Sequence, residues 1–159
     1  MIEGKFEIIE PNGVKQTAIP NEKIVERPWG FYRMFAENVQ CTAKVLYIRS
    51  NEMLSLQFHR IRDQVYYIID PMTVYLSDSI IPNHLRNSLP MLREFAESHL
   101  IKYECKPGTF IKIPRFTLHR PMYLGEKEHG LLLDIAFNKN DEADIIRIED
   151  KYERVVKDG

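Results

Sequence analysis

Almost all of this sequence is written in short runs of β-branched and aromatic residues separated by turn residues, and a single stretch departs from that rhythm. Gly30 to Phe35, Thr42 to Arg49, Leu54 to His59, Val65 to Ile69 and Thr73 to Leu76 read as strands. Ile101 to Glu104 and Phe110 to Ile113 flank a turn at Lys106-Pro107-Gly108, and Leu131 to Phe137 is an apolar run suited to a buried strand. Ahead of these, Lys5 to Ile9 and Val14 to Ile19 enclose Asn12-Gly13, a pair that favours a tight hairpin turn. The departure is Asn83 to Leu100, where Leu92, Phe95, Ala96 and His99 fall on one helical face, with Ser88 as a cap and Pro90 in the first turn. The expected architecture is all-β, a sandwich or barrel of jelly-roll type with one helical insertion at about 83–100. Residues 1–24 form an N-terminal hairpin arm in this reading, and residues 25–159 form one domain.

A chain of 159 residues with 44% hydrophobic content can bury a full core. Its formal net charge of -1 argues against nucleic acid or an anionic membrane as partner. No apolar run approaches the roughly 18 residues of a membrane span. The acidic N-terminus lacks the apolar region of a signal peptide, and Cys41 and Cys105 lack metal or redox spacing. These features set the expectation of a cytoplasmic protein with reduced thiols. A homodimer is expected as well, because sandwiches with exposed edge strands tend to pair.

The chemistry concentrates in Leu54-Ser55-Leu56-Gln57-Phe58-His59-Arg60-Ile61-Arg62-Asp63-Gln64. Alternate side chains of a strand share a face, so Gln57, His59 and Ile61 are expected to point together into the interior. Ile113-Pro114-Arg115-Phe116-Thr117-Leu118-His119 reads as a second strand that ends in a histidine after a proline turn. Two imidazoles and an amide oxygen delivered to one interior could seat a divalent metal, with Gln57, His59 and His119 as ligands. Taken singly, each of these is more often an ordinary hydrogen-bonded polar residue. His84, His99 and His129 read as exposed polar residues. Arg62, Arg115 and Arg120, with Arg60 and Arg147, form a second group, whose guanidinium forks suit phosphate or carboxylate at the barrel mouth. The alternative for each arginine is solvated charge on a strand edge.

Three segments in order resemble a known family. Arg27-Pro28-Trp29-Gly30-Phe31-Tyr32 resembles the "RPWG-x-Y" strand of type II mannose-6-phosphate isomerases, which are cupins. The segment from Leu54 to Gln64 resembles their "LSLQ-x-HxHR-x-E" metal strand, and Asp144 to Arg154 resembles their "DI-x-R-x-ED-x-YGR" terminus. Ile113-Pro114 with His119 is similar to the second cupin motif, and the likeness runs from about Val25 to Arg154. Such a domain also occurs at the C-terminal end of bifunctional mannose-1-phosphate guanylyltransferase/mannose-6-phosphate isomerases. The resemblance implies a cupin jelly-roll barrel and a sugar-phosphate isomerase that interconverts mannose 6-phosphate and fructose 6-phosphate. It implies a zinc or other divalent ion on Gln57, His59 and His119, with Arg147 steadying anionic charge in the catalytic step.

This chain departs from the family at Ile61, where a second histidine is expected, and at Gln64, where a glutamate is expected. The remaining ligands are all neutral, which leaves a metal's charge uncompensated unless a carboxylate such as Asp63 or Asp134 joins them. The alternative function is therefore a non-catalytic cupin that binds a sugar phosphate or a nucleotide sugar.

Overall fold

The structure, a computed structural model, describes residues 23–37, 40–138 and 142–154. The expected hairpin arm lies outside the described residues up to position 22. In chain order the strands are β1 (Lys23–Arg27), β2 (Gly30–Glu37), β3 (Cys41–Arg49), the short β4 (Glu52–Met53), β5 (Leu56–His59), β6 (Asp63–Ile68) and β7 (Met72–Ser77). Helix α1 (Leu89–His99) follows, and then β8 (Leu100–Cys105), β9 (Phe110–Ile113), β10 (His119–Tyr123), β11 (His129–Phe137) and β12 (Ile145–Glu149).

Two antiparallel sheets face one another. One runs β1-β2-β3-β11-β6-β9 and the other β12-β5-β10-β7-β8, with β4 also paired to β10. Sequence neighbours separate across the sheets: β11 sits between β3 and β6, with Asp134 opposite Lys44 on one side and Tyr66 on the other. These crossovers make the architecture a jelly roll rather than a meander. Alternation sets the interior faces: Gln64, Tyr66 and Ile68 of β6 are buried, while Asp63, Val65 and Tyr67 are only partly so.

The core has two parts. Trp29, Leu46, Ile48, Tyr66, Ile68, Val74 and Leu132 fill one end of the barrel. Leu56, Phe58, Leu118 and Ile148 meet Leu92, Phe95 and Ala96 of α1 at the other. Phe58 is wholly buried, and trimming a phenylalanine in such a position to alanine costs about 3–5 kcal/mol. The helix is shorter than the expected insertion, because Asn83–Leu85 forms a separate 3-10 turn before it. Ser88 is its N-cap residue, but its hydroxyl makes no capping bond; its backbone carbonyl accepts from the Leu92 amide instead. Among the described residues no helix is long and apolar enough to cross a membrane.

Gly30 explains the first motif. Its φ of +147° is open to few other residues, and a Cβ there would lie 1.9 Å from the Tyr47 carbonyl oxygen. The tight turn it permits brings Trp29 into the core and Arg27 to the barrel mouth.

Candidate functional site

The site is built by the end of β5 and the turn after it. The strand stops at His59, and the backbone amides of Arg60, Ile61 and Arg62 all donate to the Asp144 carboxylate, at 2.8, 2.9 and 3.3 Å. This carboxylate-bound turn breaks the alternation that the sequence suggests. Ile61 is 50% exposed instead of sharing the interior with His59, and Arg62 turns inward and is buried. The Arg62 guanidinium then sits with Nε 3.2 Å from Nδ1 of His59 and 3.9 Å from Asp144 Oδ2.

His59 and His119 meet inside the barrel with ring centroids 5.2 Å apart. His119 begins its strand instead of ending one, after the Pro114–Leu118 loop in which Phe116 takes a φ of +65°. Gln57 is its register partner across β5 and β10. The Nδ1 of His119 lies 3.0 Å from the Thr117 carbonyl oxygen. A carbonyl only accepts, so that nitrogen carries the proton and Nε2 is left with a lone pair. The Nδ1 of His59 lies 3.3 Å from the Asp144 carbonyl oxygen as well as near Arg62. The carbonyl accepts and the guanidinium donates, so Nδ1 can serve one of them at a time.

Burial lowers the pKa of both rings. For His119 it falls to about 4, with the Arg62 charge adding to the effect. For His59 it falls further, through burial first, then the neighbouring His119 and Arg62. Both imidazoles are therefore neutral near pH 7. Nε2 of each ring is buried without a hydrogen-bond partner, and so is Oε1 of Gln64.

Beside the rings opens a narrow pocket, with a cavity volume of about 50 Å³. Among the described residues Arg27, Lys44, Arg62, Arg147 and Arg154 line it, against a single carboxylate, Asp134. Trp29, Tyr32 and Tyr66 form aromatic wall, and Ser55, Gln57 and Gln64 supply neutral polar groups. Neither histidine is among the lining residues, so the pair lies behind the pocket wall. Asp150 holds Arg154 in place by accepting three bonds, from its amide at 2.9 Å and Nε at 2.8 Å to Oδ2 and from Nη2 at 3.0 Å to Oδ1. Burial raises the Asp134 carboxyl above its ordinary range, opposed by Lys44, Arg62 and the Gln64 amide. Burial and then Asp134 likewise push the Tyr66 hydroxyl well upward.

Of the residues expected from sequence, Gln57, Arg62 and Arg147 line the pocket and His59 and His119 lie beside it. Arg115 and Arg120 stand apart. Arg115 is on the exposed turn after β9, where its amide donates to Asp63 and its guanidinium pairs with the same carboxylate at 3.6 Å. Arg120 follows His119 on β10 and therefore faces the other way, with Nη2 3.0 Å from Glu149. Asp63 is spent on Arg115, so of the two carboxylates the sequence offered Asp134 is the one that lines the pocket. His129 is not exposed but packs edge-on to Phe31. The pocket residues that the sequence does not mark as candidates are Arg27, Lys44 and Arg154, while Gln64 stands out there only as the place of a missing glutamate. Arg27 and Arg154 stand inside the recognised motifs, and Lys44 alternates with Leu46 on the inner face of β3.

The resemblance implies a divalent metal here, and the donors present can be tested against it. Two imidazole nitrogens and an amide oxygen, each buried and unpartnered, suit a borderline cation such as zinc. The bond from His119 Nδ1 to a backbone carbonyl is how metal-bound histidines are commonly held. Gln57 Oε1 accepts from Ser55 Oγ at 2.7 Å and keeps a second lone pair. Among the described residues no group of three His, Cys, Asp or Glu side chains is placed to hold a metal. The set therefore closes only with amide oxygens beside the imidazoles.

No family model and no curated protein matches the sequence. Solved structures do. An RmlC-like cupin from Shewanella frigidimarina superposes with a TM-score of 0.52 at 14% identity, over 78% of this chain and 89% of that one. KdgF from Halomonas sp. superposes with a TM-score of 0.54 at 16% identity, over 77% of this chain and 90% of that one. The mannose 6-phosphate isomerase from Bacillus subtilis gives 0.53 at 20% identity, over 78% of this chain but only 41% of that one. At such identities the likeness speaks for architecture alone: the fold is the all-β cupin jelly roll.

Proposed function

We propose that this chain is a sugar-phosphate isomerase resembling mannose-6-phosphate isomerase, which interconverts an aldose phosphate and its ketose. The observation that carries the reading is one pocket in which, among the described residues, five cationic side chains face a single carboxylate, beside two neutral buried imidazoles. Arginine forks bind phosphate in bidentate fashion, and Arg27, Arg147 and Arg154 are among the residues that line the pocket. Ser55 and the amides of Gln57 and Gln64 can bond sugar hydroxyls, while the Trp29 and Tyr32 rings offer apolar faces. A zinc or other divalent ion on Gln57, His59 and His119 would polarise the sugar oxygens. Arg147 would steady the anionic charge that develops as a proton moves between neighbouring carbons.

The test is a coupled assay for fructose 6-phosphate formed from mannose 6-phosphate, with protein purified without chelator and supplied with zinc. Turnover that depends on intact Arg147 is the expected result. Absence of turnover, with binding intact, would leave the second reading.

That reading is a cupin that binds a sugar phosphate or a nucleotide sugar without converting it. It is favoured by Asp134, whose two oxygens are engaged by Gln64 and Lys44, so that among the described residues the pocket offers no carboxylate at liberty. In this case mannose 6-phosphate or a nucleotide sugar raises the melting temperature by mass action, with no product formed.

A further inference from the structure

A cavity of about 50 Å³ has room for a few water molecules, far less than the roughly 300 Å³ at which small-molecule pockets begin. A wall must move if this pocket is to admit a sugar phosphate. Most of the wall is fixed, because Lys44, Gln57, Gln64, Tyr66 and Asp134 stand on β3, β5, β6 and β11, paired strands of the two sheets. Arg154 is different: it lies beyond the end of β12, on a turn where Glu153 takes a φ of +57°. Inside that turn the Asp150 carboxylate accepts from the Tyr152 amide at 3.3 Å as well as from Arg154, so Arg154 travels with the turn. The turn is tied to the barrel at β4, where Glu52 Oε2 accepts from Lys151 Nζ at 2.8 Å and from the Tyr152 hydroxyl. The Tyr152 ring packs against the core around Trp29, itself part of the pocket wall, and the Arg154 guanidinium lies 5.2 Å from that ring's centroid. Glu52 does not line the pocket, so it reaches the site only through the turn.

We propose that the Asp150–Arg154 turn is a lid on the pocket, and that Glu52 is the positioning residue that latches it through Tyr152 and Lys151. This deepens the sugar-phosphate reading above and rests on it. With the latch closed, Arg154 stands at the pocket, where its fork can grip an anion that has entered. With the latch open, the turn lifts Tyr152 away from Trp29 and the cavity widens beside the aromatic wall. The lid carries one of the cations that recognise the ligand, so closing it completes the site and excludes water in one movement. The pair that holds it is partly exposed, with Lys151 at 47% and Glu52 at 25%, which keeps the cost of opening small.

The test has two arms, both on the full chain, with far-UV circular dichroism to establish that each variant is folded. In the first, trypsin digests the ligand-free protein and cleavage after Arg154 is timed. Glu52→Leu removes both bonds of the latch and is expected to speed this cleavage by about 10-fold or more, the factor that a hydrogen bond to a charged group carries. Glu52→Gln still accepts from the Tyr152 hydroxyl and should restore part of the protection. In the second arm, stopped-flow fluorescence of Trp29, the sole tryptophan, follows the binding of mannose 6-phosphate. Glu52→Leu should both bind and release it faster, with association rising by up to about the same factor as the cleavage. A merely structural role for Glu52 would not raise an association rate. Unchanged cleavage after Arg154 in folded Glu52→Leu, or an association rate that is unchanged or slower, would overturn the proposal. If the natural chain binds no mannose 6-phosphate, the sugar-phosphate reading falls, and the ligand-free digestion decides the latch by itself.

Discussion

Nε of Arg62 lies 3.2 Å from Nδ1 of His59, a contact between a permanent cation and a buried neutral imidazole. Because the guanidinium can only donate, this contact favours the His59 proton on Nε2. The competing partner, the Asp144 carbonyl at 3.3 Å, needs the proton on Nδ1. A cation bound at Nε2 would require the second arrangement. Adding zinc to metal-free protein is therefore expected to move the His59 proton from Nε2 to Nδ1. Nitrogen-15 spectra of the labelled imidazole distinguish the two forms, and an unchanged tautomer across a saturating zinc titration would refute the expectation.

His119 predicts how the metal-free protein responds to acid. Arg62, Tyr66 and His59 face its ring, and burial holds its pKa at about 4 against an ordinary 6.5. Above pH 6.5 neither the folded nor the unfolded state protonates this ring, and the full stability is present. Between 6.5 and 4 the unfolded chain takes up a proton that the folded one refuses, so stability falls as pH falls. The loss from this group is about 3 kcal/mol across that window. Denaturant unfolding at several pH values should show it, and His119→Gln should remove about one proton's worth of slope. Equal slopes in the two proteins would rule the assignment out.

The pocket arginines separate into those that should matter for an anion and those that should not. Arg27→Met and Arg154→Met are each expected to weaken mannose 6-phosphate by about ten-fold or more, since a hydrogen bond to a charged group contributes about 1.5–3 kcal/mol. Arg115→Met and Arg120→Met, at residues paired with Asp63 and Glu149 away from the pocket, should leave affinity unchanged. Titration calorimetry decides this. The reverse pattern would move the anion site to the outside of the barrel.

Gly30→Ala tests the motif turn. The added methyl would lie 1.9 Å from the Tyr47 carbonyl oxygen at a φ of +147°, so backbone must shift. A loss of about 3 kcal/mol or more in denaturant unfolding is expected. A change below about 0.5 kcal/mol, the level of an ordinary surface substitution, would contradict the geometry.

The strands of the barrel are legible in the sequence. Alternation in Asp63–Ile68 and the apolar run of Leu131–Phe137 mark their own inner faces, because a pleated strand leaves each side chain only two directions. The helical insertion was legible for the same kind of reason, through Leu92, Phe95 and Ala96 at helical spacing. Gln57 and His59 share a strand face by sequence alone. What alternation could not reveal was where it stops. The three amides of Arg60, Ile61 and Arg62 turn because Asp144, far along the chain, accepts all of them.

That one distant carboxylate exposes Ile61 and buries Arg62, so the apparent loss of a ligand at position 61 removes nothing from the interior. In the same way Gln64 reads as a missing charge in the sequence. In the fold, β11 sets the Asp134 carboxyl beside it from another strand. The sequence by itself determined a strand-rich barrel and the residue types of its centre, since both follow from local periodicity. Tertiary structure alone decided which arginines line the pocket and which amide oxygen is left unpartnered, because those depend on bonds between residues remote in sequence.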